Sequence, residues 1–306
     1  MAEFKLIEKL TNIFKIKDKD VLVGFGDDCA CVNVNGKKLI FTADIQVENR
    51  HFIKDKINPI DLGWKLVSVN VSDIVACGGV PRWGIISIGV PKSTDFSYLE
   101  RVYKGINEAK NFYNLEIIGG NTSSADEVIF DLFLTGETKK FIPRSNAQEK
   151  DIVFISGYTG LSRAGLEILL GDNENLEDFE SELIKHHTRP IARIDLQDRI
   201  QKYANACIDI SDGLVADLGH ISKMSSKKIV LEDIPISPIL EKFSKKYKKD
   251  PIEYTLYGGE DYQLAFTVSK EYEKHFQDCL KVGYVEEGEG IYLKDNPLEI
   301  KGFEHL

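Results

Sequence analysis

Residues 21–45 read VLVGFGDDCACVNVNGKKLIFTADI. Asn35-Gly36 is a strong signal for a two-residue hairpin turn, because the tight turns that join twisted strands need positive φ, which Asn and Gly accept. The flanking runs CACVNV and KKLIFTADI alternate or cluster apolar and β-branched residues, so they read as the paired strands. A sheet therefore begins close to the N-terminus, with Gly24-Phe25-Gly26-Asp27-Asp28 at or beside its edge. Gly-Asp is ordinary turn chemistry. Two adjacent carboxylates nonetheless repel, and a poorly hydrated setting worsens this unless a cation or strong donors compensate. Cys29 and Cys31 alternate into the next strand, where they pack as small apolar residues.

Outward from this hairpin, Phe4, Ile7, Leu10 and Phe14 recur at helical spacing and predict an amphipathic helix that ends before KIKDKD. Downstream, Asn58-Pro59 caps and starts a helix through DLGWKLVSVNVSDIVAC, with Gly78-Gly79 as its exit. Trp64, Val67, Val71 and Ile74 line one side of that helix, and Leu62, Leu66 and Val69 the other. A helix apolar on both sides is buried on both sides, which places Asp73 where an unpaired charge is costly. The strand WGIISIGV, a helix through FSYLERVYKGINEAKNFY, the short strand LEIIGG and the strand VIFDLFLTGET complete a first half. The polar, proline-containing KKFIPRSNAQEKD marks a boundary, so residues 1–140 and 141–306 are read as two domains. The second half alternates strands (DIVFISG, ACIDI, KIVLEDI, YQLAFTV, KVGYVEEGEGIYL) with helices through YTGLSRAGLEILL, ELIKHHTRPIARIDLQDRI and LVADLGHISKM. Strands mixed with helices throughout predict an α/β or α+β protein.

The 306 residues carry a formal net charge of −10. That balance argues against nucleic acid or an anionic membrane as the main partner, and anionic substrates would need a cation to mediate. No apolar run reaches membrane-span length and the N-terminus lacks a signal-peptide core, which predicts a cytoplasmic protein. The five cysteines are scattered with no CxxC pair, so reduced thiols are expected rather than disulfides or a zinc site.

The chemistry lies in the acidic positions: Asp27 and Asp28 after a glycine turn, Asp44 in FTAD, Asp73 in VSD, Asp209 and Asp212 in DISDG, Glu260 and Asp261 in YGGED. Each is short-chained or flanked by Gly, Ser or Thr, and several terminate apolar strands, unlike solvated surface charge. Any one could end a strand or cap a helix. Together they suit a hard divalent cation such as Mg²⁺, which takes oxygen ligands and commonly serves phosphoryl transfer. No GxxxxGK[ST] and no strand-to-helix GxGxxG occurs, and no nucleophile elbow, kinase signature set or HExxH. Gly119-Gly120-Asn121-Thr122-Ser123-Ser124 either cradles a phosphate with its backbone N–H groups or turns the chain.

GFGDDCACV, FTADIQVENRHF, GWKLVSVNVSDIVACGGVPRW, IIGGNTSS, IPRSNAQEKD, CIDISDGLVADLGH and YGGEDYQLAFT, in this order across nearly the whole chain, resemble the thiamine-monophosphate kinase family of the PurM-like ATP-binding superfamily. The resemblance implies a PurM-like two-domain fold and a homodimer whose N-terminal mixed sheets join as a barrel, with ATP between that region and the C-terminal α/β domain. It implies ATP-dependent phosphorylation of thiamine monophosphate to thiamine diphosphate by direct in-line attack. Carried over by motif, Asp27, Asp28, Thr42, Asp44, Asp73, Asp209 and Asp212 bind Mg²⁺ ions, with the Ala43 carbonyl assisting. Asp27 is then the metal-facing carboxylate, and Asp28 a second ligand or a stabiliser of the loop. Tyr103, Gly120, Asn121, Arg144 and Ser211 contact ATP, while His51, Glu260 and Phe303 contact thiamine monophosphate. Asn121 stands where the family usually has Asp; its amide oxygen can still ligate Mg²⁺ but adds no charge. No general base is assigned, because the attacking phosphate is already anionic near neutral pH. The alternatives are another ATP-dependent enzyme of the superfamily and a non-catalytic nucleotide- or metal-binding protein of the same fold.

Overall fold

The computed structural model describes residues 3–171 and 175–301. Its first sheet is built from β1 (Val21–Val23), β2 (Ala30–Val34), β3 (Lys37–Val47), β4 (Val80–Val90), β5 (Glu116–Ser124) and β6 (Ile129–Thr138), in the order β1-β2-β3-β6-β4-β5. Asn35 and Gly36 both take positive φ, at 51° and 83°, and fix the β2–β3 register with Val34 opposite Lys37. Helix α1 (Glu3–Thr11) precedes the sheet, stopping short of Phe14. Helices α2 (Pro59–Ala76) and α3 (Phe96–Phe112) pack together on one face of it. Their crossing is close because both carry glycine: a Cβ on Gly63 would stand 2.0 Å from the Val102 carbonyl oxygen, and one on Gly105 1.8 Å from that of Ile60.

Helix α2 confirms the two-sided pattern. The Asn58 side chain caps it by accepting the Ile60 N–H, Pro59 opens it, and nearly every position from Leu62 to Ala76 is buried. One side contacts β3, β4 and β6; another meets strand β8 (Ala204–Asp209) and helices α5 (Asp178–Thr188) and α6 (Gln197–Tyr203) of the second half.

The second half also contains β7 (Ile152–Ile155), α4 (Leu161–Leu170), α7 (Leu214–Ser225), β9 (Lys227–Leu231), α8 (Pro238–Tyr247) and α9 (Pro251–Tyr257). It ends with β10 (Leu264–Val268), β11 (Leu280–Glu287), β12 (Gly290–Leu293) and β13 (Asn296–Pro297). The second sheet runs β13-β12-β9-β11-β7-β10-β8. One hydrophobic cluster joins Leu66 and Phe130 to Phe154, Phe266 and Phe276, so the two sheets share a core; a separate cluster binds α4, α5, α8 and α9.

The mixed α/β class holds, with several local corrections. The GGNTSS stretch is neither a turn nor a loop: β5 continues through it to Ser124, pairing in parallel with β4. Asp44 lies inside β3 rather than at its end. Helices α8 and α9 add to the sequence-based assignment, and α5 starts at Asp178, ahead of the helical stretch ELIKHHTRPIARIDLQDRI.

Candidate active site

A cavity of about 1090 Å³ opens between the two sheets. It is lined by the β1–β2 loop (Asp27, Asp28), the middle of β3 (Thr42, Ala43, Asp44), His51 just beyond that strand, Asp73 of α2, Arg144, Asp209 at the end of β8, the β8–α7 connection (Ser211, Asp212) and Glu260. Twelve of the residues singled out by sequence thus converge from segments more than two hundred positions apart.

At its floor, ligand oxygens of Asp28, Asp73 and Asp209 all lie within 4.8 Å of one another. The fold brings them there by three routes. Asp28 ends the glycine turn, Asp73 is carried on the doubly buried face of α2, and Asp209 is the last residue of β8, only 3% exposed. Burial, then the charges of Asp44 and Asp209, raises the Asp73 carboxyl well above its ordinary pKa. Asp209 is raised likewise by burial and by Asp28 and Asp217, with a Ser72 hydrogen bond opposing. Thr42 Oγ1 donates to Asp73 Oδ2 at 2.5 Å, which aims that carboxylate, and the Asp44 N–H donates to Asn70 Oδ1 at 3.0 Å, which ties the β3 backbone to α2.

The paired carboxylates have different environments. Asp27 accepts the Asp28 N–H on Oδ1 and the Arg144 N–H on Oδ2, so both oxygens hold the loop; burial and then Asp28 push its pKa up to about 6 against the pull of Arg144. Asp28 receives the Arg144 guanidinium on Oδ1, while its Oδ2 is buried with no hydrogen-bond partner among the described residues. Arg144 is therefore first a counter-charge for this pair. Burial works against its own charge, but Asp28 and Asp27 outweigh that and keep it protonated.

Around the floor, Asp217 Oδ2 accepts the N–H groups of Ser211, Asp212 and Gly213 at 3.0–3.1 Å, fixing the turn that enters α7. Glu260 sits at φ +61° with its N–H donated to the Ser211 carbonyl at 2.7 Å, which ties its backbone to that same turn. Arg50, Arg163 and Lys301 also line the cavity, setting positive charge around the acidic floor.

A family model for AIR synthase related protein, N-terminal domain, matches residues 26–138. The thiamine-monophosphate kinase of Aquifex aeolicus (strain VF5) is 46% identical over 308 residues, covering 100% of this chain and 98% of that protein. That of Bacillus subtilis (strain 168) is 36% identical over 329 residues, covering 100% of both. The chain belongs to the thiamine-monophosphate kinase family. Its fold is accordingly PurM-like, and it superposes on the solved structure of AaThiL complexed with AMPPCP and TMP with a TM-score of 0.94 at 46% identity, covering 100% of this chain and 97% of that one.

Within this kinase-family chain, three residues named from the sequence do not reach the cavity. Tyr103 is exposed on α3. Gly120 and Asn121 are on edge strand β5, and Asn121 shares a sheet face with Ser87, Asp131 and Ile45 through successive pairings. Ile45 lines the cavity, so Asn121 lies three strand spacings from it, about 14 Å. Phe303 lies outside the described residues. Conversely, Lys65, His187 and Asp217 belong to the site's surroundings without having been singled out. For Lys65 a signal existed: on a helix apolar on both sides it has no solvated face, and Lys65, Ser68 and Ser72 form a polar stripe at i, i+3, i+7.

Proposed function

We propose that the chain phosphorylates thiamine monophosphate to thiamine diphosphate with ATP, in one direct in-line transfer. The observation that carries this reading is the convergence of Asp28, Asp73 and Asp209 on one floor, beneath a cavity with basic groups around it. The donor set fits magnesium: the ligand atoms are hard oxygens, Asp28 Oδ2 has no other partner among the described residues, and burial with mutual repulsion raises Asp73 and Asp209. Asp28, Asp73 and Asp209 would hold the ion or ions, with Asp27, Thr42, the Ala43 carbonyl, Asp44 and Asp212 as further candidates. When bound, magnesium would offset phosphate charge as it spreads over the transferring group. The chain's own residues do the positioning. Arg144 holds the carboxylate loop and presents a fork that matches phosphate oxygens, and Ser211 stands on the turn held by Asp217. His51 and Glu260 line the cavity where the thiamine moiety would be read. No side chain is assigned as general base, since the acceptor phosphate is an anion before it attacks.

The reading includes a homodimer formed through the N-terminal half, residues 1–140, with 141–306 as the second domain. The outer face of the first sheet supports it: where a half-solvated sheet normally shows polar residues, this one exposes Trp83, Ile85, Ile118 and Phe133, with Phe133 stacked on Phe41 at 5.9 Å. A second copy on this face would also give Tyr103, Gly120 and Asn121 a route to a nucleotide that a single chain does not offer. Phe133→Asp is expected to weaken self-association by about a hundredfold or more; sedimentation velocity checks this, and an unchanged dimer would remove this face from the interface. The reaction itself is tested by incubating protein with MgATP and thiamine monophosphate and resolving the products. Thiamine diphosphate with one equivalent of ADP is expected; nucleotide binding without product would leave only the non-catalytic alternative, and product formed with inorganic phosphate and AMP would exclude direct transfer.

A further inference from the structure

Lys65 lies in the middle of α2 with no exposed surface. Its Nζ is 3.0 Å from Oε1 of Glu260, and the other carboxylate oxygen of Glu260, Oε2, is 3.3 Å from His187 Nδ1. His187 is itself buried and also stands 3.1 Å from Ser162 Oγ. Both oxygens of Glu260 are thus held from behind, by groups on α2 and α5, while the carboxylate keeps 30% of its surface and faces the cavity. A fully buried lysine is rare because desolvating the ammonium is costly unless it is paired. A surface salt bridge would explain neither its depth nor its place against the cavity wall.

The charge balance is directional. Burial alone would favour the neutral acid at Glu260, but Lys65, the largest opposing influence, outweighs it and lowers its pKa below the usual range. Burial and Lys65 together push His187 down to about 3, against Glu260, so the imidazole is neutral at any working pH. Lys65 is therefore the main influence that keeps the Glu260 carboxylate ionised at the cavity wall, with a smaller one from His51. An ionised carboxylate there accepts hydrogen bonds from an amino-substituted heteroaromatic ring and attracts a ring cation, both of which thiamine monophosphate carries.

We propose that Lys65 is a positioning residue for substrate selection, holding Glu260 ionised and in one orientation so that it recognises the amino-substituted, cationic heteroaromatic part of the acceptor. This rests on the proposed kinase function. Lys65 itself is fully buried and does not line the cavity, and its effect passes through Glu260.

The test compares steady-state kinetics of the wild type, Lys65→Met, Lys65→Arg, Glu260→Gln and the double variant, with MgATP and thiamine monophosphate varied separately over pH 5.5–8.5. Wild-type turnover comes first: its absence overturns the kinase function, whereas its presence leaves this inference to be judged on the variants. Lys65→Met is expected to raise KM for thiamine monophosphate by about ten- to a hundredfold, leave KM for ATP within about twofold, and make acceptor binding acid-sensitive as Glu260 begins to titrate. Lys65→Arg is expected to restore the flat pH profile in part. The double variant is expected to match Glu260→Gln within about twofold, since removing the carboxylate removes what Lys65 acts on. Equal KM for thiamine monophosphate in Lys65→Met and wild type, or a double variant tenfold worse than Glu260→Gln, overturns the proposal. If Lys65→Met does not fold, the double variant, which buries no unpaired charge, carries the same comparison.

Discussion

Asp209→Asn is expected to lower turnover by about a hundred- to a thousandfold while making the metal-free protein more heat-stable, with a rise in Tm of about 2–5 °C. Both effects come from one geometric fact. Asp28, Asp73 and Asp209 present oxygens within 4.8 Å of one another at buried positions, an arrangement that is costly without a cation and suited to holding one. The sign with pH follows. A carboxyl whose folded pKa is raised binds its proton more tightly when folded, so metal-free stability is greatest below the unfolded pKa and declines as pH rises toward the folded value. In Asp209→Asn that decline should flatten, because one member of the repelling set no longer ionises. Differential scanning fluorimetry with EDTA and with millimolar Mg²⁺, across pH, separates the effects: the wild type should gain Tm from Mg²⁺ and the variant much less. A variant that keeps both full turnover and full Mg²⁺ response would exclude Asp209 from the cation site.

Arg144→Met should act in the opposite direction on stability. Its guanidinium is the cation that faces Asp27 and Asp28, whose side chains are only 3% and 1% exposed, and removing it leaves two adjacent buried carboxylates unpaired. Breaking a buried pair in this way costs about 3–5 kcal/mol. Lys is expected to recover only part of this, because a single ammonium cannot replace the guanidinium fork. High Mg²⁺ should restore more of the stability of Arg144→Met than of the wild type, since the ion supplies the missing charge to the same loop. Urea unfolding at several Mg²⁺ concentrations measures this coupling; a loss of stability indifferent to Mg²⁺ would mean that Arg144 acts through packing alone.

These expectations depend on features with unequal visibility in the chain. The hairpin at Asn35-Gly36 was legible because its turn chemistry is local, and α2 was legible because its cap, its proline and its two apolar sides agree. Asp73 followed from that helix by geometry alone. The division of labour between Asp27 and Asp28 was not legible: it depends on Arg144, more than a hundred positions away, which binds both through backbone and side chain. GGNTSS misled because glycines and hydroxyls usually mark loops, yet at an edge strand Gly120 is needed where a Cβ would meet the Ile86 carbonyl oxygen at 2.1 Å. Lys65 and His187 were hidden for a simpler reason. Residue type favours surface for one and says little of the other, and only tertiary contact with Glu260 gives them a purpose.

Helix α2 has a further consequence. It delivers Asp73 to the acidic floor of the cavity and Lys65 to Glu260 on the cavity wall, while its remaining side chains pack between the two sheets. The spacing between these two polar groups is thus set by a rigid rod of fixed rise, eight residues or about 12 Å along its axis, and not by any loop. The relative placement of Asp73 and Lys65 is inherited from helical pitch, so a one-residue insertion anywhere between them would rotate one of them by about 100° out of register. Adaptation of this site to another acceptor can change the side chain at position 65 or the elements around α2, but not the spacing that the helix sets between Lys65 and Asp73.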